Sequence, residues 1–344
     1  MGFKYQIDAF LENTYARIIA KNEALADCAD DALAGLLETK RGELYHALAI
    51  DRLYELFPES KAFDIGSFTL QKEEKNDGYT LLRYTSETLP GLIAPFYVFM
   101  PDNPIADVAL TFCCGHGNGA EEYTIPDDKV ETEFYHKRFP IRAAKAGYIV
   151  CMSEFIAFGE MQRDEFQTPY TYETTCYPTI TYLQECGLTA LGVRVHQTFQ
   201  TIAFAKTLAP KTYIAGISGG GTVTMLTSAL HRGLEGACIM GYANSFKQSV
   251  LAMHHCICNF IPGILAIGEE SEILSLAVPT PLMFTNGDKD DIFPVSAAQS
   301  CLGDVQKVYA RFNAADDVEL VVFAGEHEVD SASVLEWLDA LVKK

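Results

Sequence analysis

The chain has 344 residues, 49% hydrophobic and 21% charged, a globular composition that excludes extensive disorder. Lys and Arg number 26 against 46 Asp and Glu, and the formal charge of -20 would repel phosphate backbones and anionic lipid surfaces, so neither nucleic acid nor a membrane is an expected partner. The N-terminus lacks a basic stretch followed by an apolar one, no run is long and apolar enough to span a bilayer, and the ten cysteines are irregularly spaced; a cytoplasmic protein with reduced, mostly buried thiols is expected.

Residues 5–57 place apolar side chains at three- and four-residue spacing, with no proline before Pro58, so residues 1–65 are expected to form an N-terminal helical extension that offers a face for homo-oligomerisation. From Phe68 the period changes to two. FTLQKEEK and YTLLRYTSE flank Asn76-Asp77-Gly78, which predicts a hairpin, and the runs at 92–101 and 106–115 continue as strands. Strand patterns at 148–152, 212–217, 236–242, 280–287 and 319–325 then alternate with helical patterns over 134–146, 191–208, 220–232, 295–312 and 331–342. Such alternation predicts an α/β domain over 66–344, with a mostly parallel central sheet and helices on both faces. Residues 154–189 and 243–278 are too long for ordinary connections and rich in Tyr, Thr, Cys and Pro, so they are expected to be lid-like insertions.

Gly216-Ile217-Ser218-Gly219-Gly220 reads G-x-S-x-G between a strand pattern and a helix pattern, the context in which a serine nucleophile is held on a sharp turn. A serine hydroxyl needs a base, and the base needs a carboxylate to fix its tautomer. The loop after the strand at 280–287 carries Asp288, Asp290 and Asp291, and the loop after the next strand carries His327, the sole histidine downstream of those acids. Asp290 is the chosen acid because it stands just before the apolar turn Ile292-Phe293-Pro294; Asp291 is second and Asp288 third. Oxyanion donors are expected from the backbone of Gly219 and, in the loop Cys114-Gly115-His116-Gly117-Asn118-Gly119, from Asn118, with Gly117 the second choice. His116 is expected to brace that loop. With Tyr170, Tyr172, Tyr177 and His255 it forms the candidate substrate pocket, and Tyr182 extends the tyrosine series. GISGGGT lacks the Lys-Ser/Thr ending of a phosphate loop, and neither glycine cluster reads G-x-G-x-x-G, so no nucleotide is expected. His254-His255-Cys256-Ile257-Cys258 offers metal-ligand chemistry, but no second cysteine pair at zinc spacing completes a shell, so no metal is expected.

The segments FCCGHGNG, AAKAGYIVCMSEFIAFGE, GISGGG, HHCICNFIPGIL, PTPLMFTNGDKDDIFP and FAGEHEVDSASVLEWLDALV run from about Leu92 to the C-terminus. Together they resemble the α/β-hydrolase superfamily, and within it the dienelactone-hydrolase-like and acetyl xylan esterase-like proteins. In that family's acid loop a glycine is followed three residues later by the catalytic acid and seven later by a proline, which Gly287, Asp290 and Pro294 match. The resemblance implies an esterase, with deacetylation of carbohydrate esters the commonest assignment. True dienelactone hydrolases carry cysteine where this chain has Ser218, and the N-terminal helices lie outside the resemblance. The expectation is a serine carboxylesterase acting on short-chain, acetyl-type esters of a small alcohol or carbohydrate, with no metal or organic cofactor. Acyl transfer or amide hydrolysis by the same triad is one alternative, and a non-catalytic binding protein on a hydrolase fold is another.

Overall fold

One sheet runs through the molecule, a computed structural model that describes residues 3–117, 119, 134–163 and 175–343, the side chains of 3–5 excepted. Among the described residues its strands are β1 (Phe68–Lys75), β2 (Tyr79–Leu89), β3 (Leu92–Pro101), β4 (Val108–Cys113), β5 (Ile149–Ser153), β6 (Lys211–Ile217), β7 (Gly236–Met240), β8 (Leu282–Gly287) and β9 (Val318–Phe323), in the order β1-β2-β3-β5-β4-β6-β7-β8-β9. The expected hairpin pairs β1 with β2, and β2, β3 and β5 continue antiparallel. From β5 through β4 to β9 every pairing is parallel.

Burial explains why the two halves read differently in sequence. Apart from Lys211, every residue of β4 to β8 is buried, as parallel strands covered on both faces must be, hence their continuous apolar runs. β1 is exposed along nearly its whole length, and its Lys and Glu side chains discourage edge-to-edge pairing.

The helices are α1 (Phe3–Ile19), α2 (Asp30–Ala47), α3 (Ile50–Leu56), α4 (Phe139–Lys145), α5 (Cys176–Glu185), α6 (Ala190–Leu208), α7 (Gly219–Leu230), α8 (Glu270–Ser275), α9 (Val295–Ala310) and α10 (Ser331–Val342), and they cover both faces of the sheet. The helix expected over 134–146 begins five residues late, because Lys137 and Arg138 adopt positive φ of 50° and 51° ahead of it. α5 and α8 lie inside the two segments expected to be lids.

α2 and α3 pack on their own chain. Leu33, Leu37, Leu44, Leu48 and Ile50 join the main hydrophobic core. Two buried cations pin α2 where backbone carbonyls lack helical partners. Arg41 Nε donates to Ala229 O (3.3 Å), in the last turn of α7, and to Leu276 O (3.0 Å). Lys40 Nζ donates to Ile267 O (2.6 Å) and pairs with Glu272 (3.1 Å). α1 leaves Ile7, Phe10 and Leu11 exposed.

Candidate active site

The turn from β6 into α7 holds Ser218 at φ 55° and ψ -122°, a conformation that costs a non-glycine residue about 1–3 kcal/mol and persists only where its surroundings enforce it. Here the Ser218 N-H donates to Met240 O (2.9 Å) and its carbonyl accepts from Thr222 N (3.0 Å). The flanking glycines are required by close approach. A Cβ on Gly220 would stand 2.0 Å from Cys113 O, and one on Gly216 2.4 Å from Gly220 O. Strand, turn and helix therefore meet at a separation that no larger residue allows.

Of the three acids after β8, Asp290 is buried while Asp288 and Asp291 are exposed. Asp290 Oδ1 accepts hydrogen bonds from Ile292 N (2.9 Å) and Phe293 N (3.0 Å), so the apolar turn itself orients the carboxylate. Oδ2 is left to meet His327 Nδ1 at 2.8 Å. Asp288 braces the neighbouring loop by accepting from Gly325 N (3.1 Å). The His327 ring is stacked on Tyr135 (centroids 5.6 Å apart, planes at 26°) and on Phe293 (5.5 Å, 22°). With Nδ1-H donated to Asp290, the lone pair falls on Nε2, which is buried and makes no hydrogen bond among the described residues. It makes none to Ser218 either, as is common before substrate binds. The end of β7 connects the two residues. Met240 receives the Ser218 N-H, and the next residue, Gly241, lies so close to the imidazole that a Cβ would stand 3.0 Å from His327 Cε1.

The Gly219 N-H opens the first turn of α7, and a Cβ on Gly219 would lie 3.5 Å from His116 N, so the loop after β4 passes beside the Ser218 turn. In that loop the Gly115 N-H is already donated to His136 Nε2 (2.9 Å). Asn118, Tyr170 and Tyr172 lie outside the described residues. Tyr177 and Tyr182, on α5, are 50% and 68% exposed. Burial lowers the pKa of His255, and its Nδ1 has no partner among the described residues.

A model described as the Abhydrolase family matches residues 46–315, most of the chain. The chain belongs to this family. Among solved structures it is similar to a protein assigned as an acetyl xylan esterase from Bacteroides fragilis NCTC 9343 (TM-score 0.73, 18% identity, covering 95% of this chain and 94% of that one). It is also similar to a methylesterase (0.66, 18%, 98% and 69%) and to a glucuronoyl esterase from Solibacter usitatus (0.57, 14%, 80% and 85%). At these identities the likeness establishes the α/β-hydrolase fold. No curated protein sequence gave a match. The Abhydrolase match takes in Ser218 and Asp290 and ends before β9, so it does not extend to His327.

Two features of this Abhydrolase chain escaped the sequence reading. Tyr135 stacks on His327 and donates its hydroxyl to His116 O (2.8 Å), linking the two histidine loops. A second cysteine pair at zinc spacing along the chain is also not what brings metal-ligand side chains together here. His116 and Cys176 converge instead from distant positions on Cys256 and Cys258, and the four ligand atoms lie within 4.8 Å of one another.

Proposed function

We propose that the protein is a serine carboxylesterase that releases a short acyl group, acetyl being the expected one, from a small alcohol or carbohydrate. The observation that carries this reading is His327: a carboxylate holds its Nδ1, and its buried Nε2, without a partner among the described residues, belongs to a ring that lies against Gly241 at the β7 end to which the strained Ser218 turn is bonded. Ser218 Oγ attacks the ester carbonyl as His327 Nε2 takes its proton. The tetrahedral oxyanion is met by the Gly219 N-H and by an N-H of the 117–118 loop. Collapse expels the alcohol, which receives the proton from His327, and water then repeats the cycle on the acyl-enzyme. Asp290 fixes the tautomer and balances the imidazolium.

The three structural relatives support an ester substrate, since all are named as esterases and two names refer to a xylan or a glucuronoyl group. A reducing, cytoplasmic setting belongs to the same reading and is supported by cysteines that are all unpaired. The exposed Ile7, Phe10 and Leu11 of α1 support self-association through the N-terminal helices.

The test is Ser218→Ala assayed on p-nitrophenyl acetate and on acetylated sugars, with folding checked by circular dichroism. Turnover should fall by roughly 10³ to 10⁶ fold. A folded variant with wild-type turnover overturns the proposal.

A further inference from the structure

The four residues that converge beside the nucleophile turn come from three separate parts of the chain. His116 lies in the loop after β4, Cys176 is the first residue of α5, and Cys256 and Cys258 belong to the segment between β7 and α8. Their ligand atoms lie within 4.8 Å of one another, with His116 Nε2 3.3 Å from Cys176 Sγ. A tetrahedral zinc ion with bonds of about 2.3 Å to sulfur and 2.0–2.1 Å to nitrogen holds its ligand atoms roughly 3.5–3.8 Å apart. No separation in the cluster therefore has to shrink by more than about 1.3 Å to close on the ion. Cys176 and Cys258 are buried, and Cys256 and His116 are half-buried.

The surroundings fit a thiolate-bound cation. The backbone N-H groups opening α5 favour negative charge on Cys176. Asn259 Nδ2 donates to Cys258 Sγ (3.4 Å), and its Oδ1 is 3.4 Å from Thr222 Oγ1 on α7, so the sulfur is tied to the helix that carries the nucleophile. Arg194 is fully buried on α6 with Nε and Nη1 unpartnered among the described residues. Its guanidinium lies 3.9 Å from the ring centroid of Phe158, whose edge meets the His116 imidazole at 5.1 Å. Three thiolates and a divalent cation leave one negative charge, which this buried guanidinium balances.

We propose that His116, Cys176, Cys256 and Cys258 bind one structural zinc ion. Three soft thiolates with one imidazole select Zn²⁺ over Mg²⁺ or Ca²⁺, and four protein ligands close the shell, leaving no open position for substrate or activated water. The ion fastens both long insertions, the one after β5 through Cys176 and the one after β7 through Cys256 and Cys258, to the loop whose backbone passes beside Gly219. It does not take part in the acyl-transfer steps and does not depend on them.

The experiment is elemental analysis of the full-length protein, purified without chelator under reducing conditions and equilibrated with a slight excess of Zn²⁺ before gel filtration. One zinc per chain is expected, falling below about a tenth in Cys258→Ser and in Cys176→Ser and unchanged in Cys301→Ser, a buried cysteine outside the cluster. Co²⁺ loaded in place of zinc should give the intense visible bands of tetrahedral cobalt with thiolate-to-metal charge transfer. Because the serine variants can fail to fold, His116→Cys is the second arm; it should keep the metal and strengthen the charge-transfer absorption. Wild-type protein that binds no zinc, thiols found oxidised to a disulfide within the cluster, zinc retained in folded Cys258→Ser, or a cobalt spectrum unmoved by His116→Cys would each overturn the proposal.

Discussion

His327 lies against Gly241 at the end of β7 and His116 beside the Ser218 turn, and opposite chemistry holds them. His327 is gripped at Nδ1 by a carboxylate whose other oxygen is fixed by two backbone N-H groups, its faces are covered by Tyr135 and Phe293, and its Nε2 has no partner among the described residues. His116 presents its Nε2 to sulfur, 3.3 Å from Cys176 Sγ and within the cluster made with Cys256 and Cys258. A carboxylate at Nδ1 makes Nε2 a proton acceptor and stabilises the cation that forms. Thiolates around Nε2 use up that lone pair if a metal joins them, leaving the ring a fixed bracket for the backbone on which it sits. Under the proposed function and the proposed zinc site, the same side chain is a base in one loop and a fastening in the other, and the partner atoms make the difference.

The sharpest way to break the first half of that contrast is Asp290→Asn. The residue's oxygen would stay with Ile292 N and Phe293 N, turning its amide N-H₂ toward His327 Nδ1. That nitrogen would have to become the acceptor, moving the ring proton to Nε2, where it blocks removal of the Ser218 proton. A loss of about 10⁴-fold in kcat is expected with the fold retained. Zinc content should not change, because no atom of Asp290 touches the sulfur cluster. Turnover on p-nitrophenyl acetate, read beside metal analysis of the same sample, checks both. Near wild-type turnover would remove Asp290 from the mechanism.

A smaller effect is expected from Gly241→Ala. The added Cβ would stand 3.0 Å from His327 Cε1, 3.1 Å from Nδ1 and 3.6 Å from Asp290 Oδ2, so the imidazole must shift by a few tenths of an ångström. The left-handed φ of 53° adds about 1–2 kcal/mol of backbone cost for alanine. Misplacing a catalytic group by as much as an ångström costs on the order of 10²-fold in rate, which sets the upper bound for this variant. A lowered melting temperature and a fall in kcat larger than any change in KM are expected, and unchanged kinetics would show that the ring has room to move.

These two variants probe parts of the molecule that were legible in the chain to different degrees. The parallel strands could be read because burial on both faces demands unbroken apolar runs, and the Ser218 turn because steric limits at Gly216 and Gly220 leave a fixed glycine spacing. Asp290 stood out from Asp288 and Asp291 through the Ile292-Phe293-Pro294 turn that folds back onto its carboxylate. α5 was not legible, because Pro178 stands near its start and Thr and Tyr weaken its helical propensity, so tertiary packing decides its conformation. Cys176 could not be paired from spacing, since it lies 60 residues from His116 and some eighty from Cys256. Ligands gathered from separate loops leave no local pattern. Tyr135 belongs to the same class. Its place is set by Val329 N donating to its carbonyl (2.9 Å), a contact between loops far apart in the chain.

Tyr135 is also where the two halves of the contrast can be separated with least damage. Its ring stacks on His327, while its hydroxyl donates to His116 O. Tyr135→Phe keeps the ring and removes the hydroxyl. The base should therefore be untouched, and the His116 loop should lose one hydrogen bond, worth about 0.5–1.5 kcal/mol. If that bond positions the 116–117 backbone beside Gly219, kcat should fall by less than about tenfold, with an unchanged pH profile and zinc retained. Tyr135→Ala, which also strips the stack from His327, should lower kcat further. Equal losses in the two variants would mean that the ring contributes nothing to holding the base; a loss in Tyr135→Ala alone would mean that the hydroxyl contributes nothing to the loop. Either result would assign Tyr135 to one histidine instead of both.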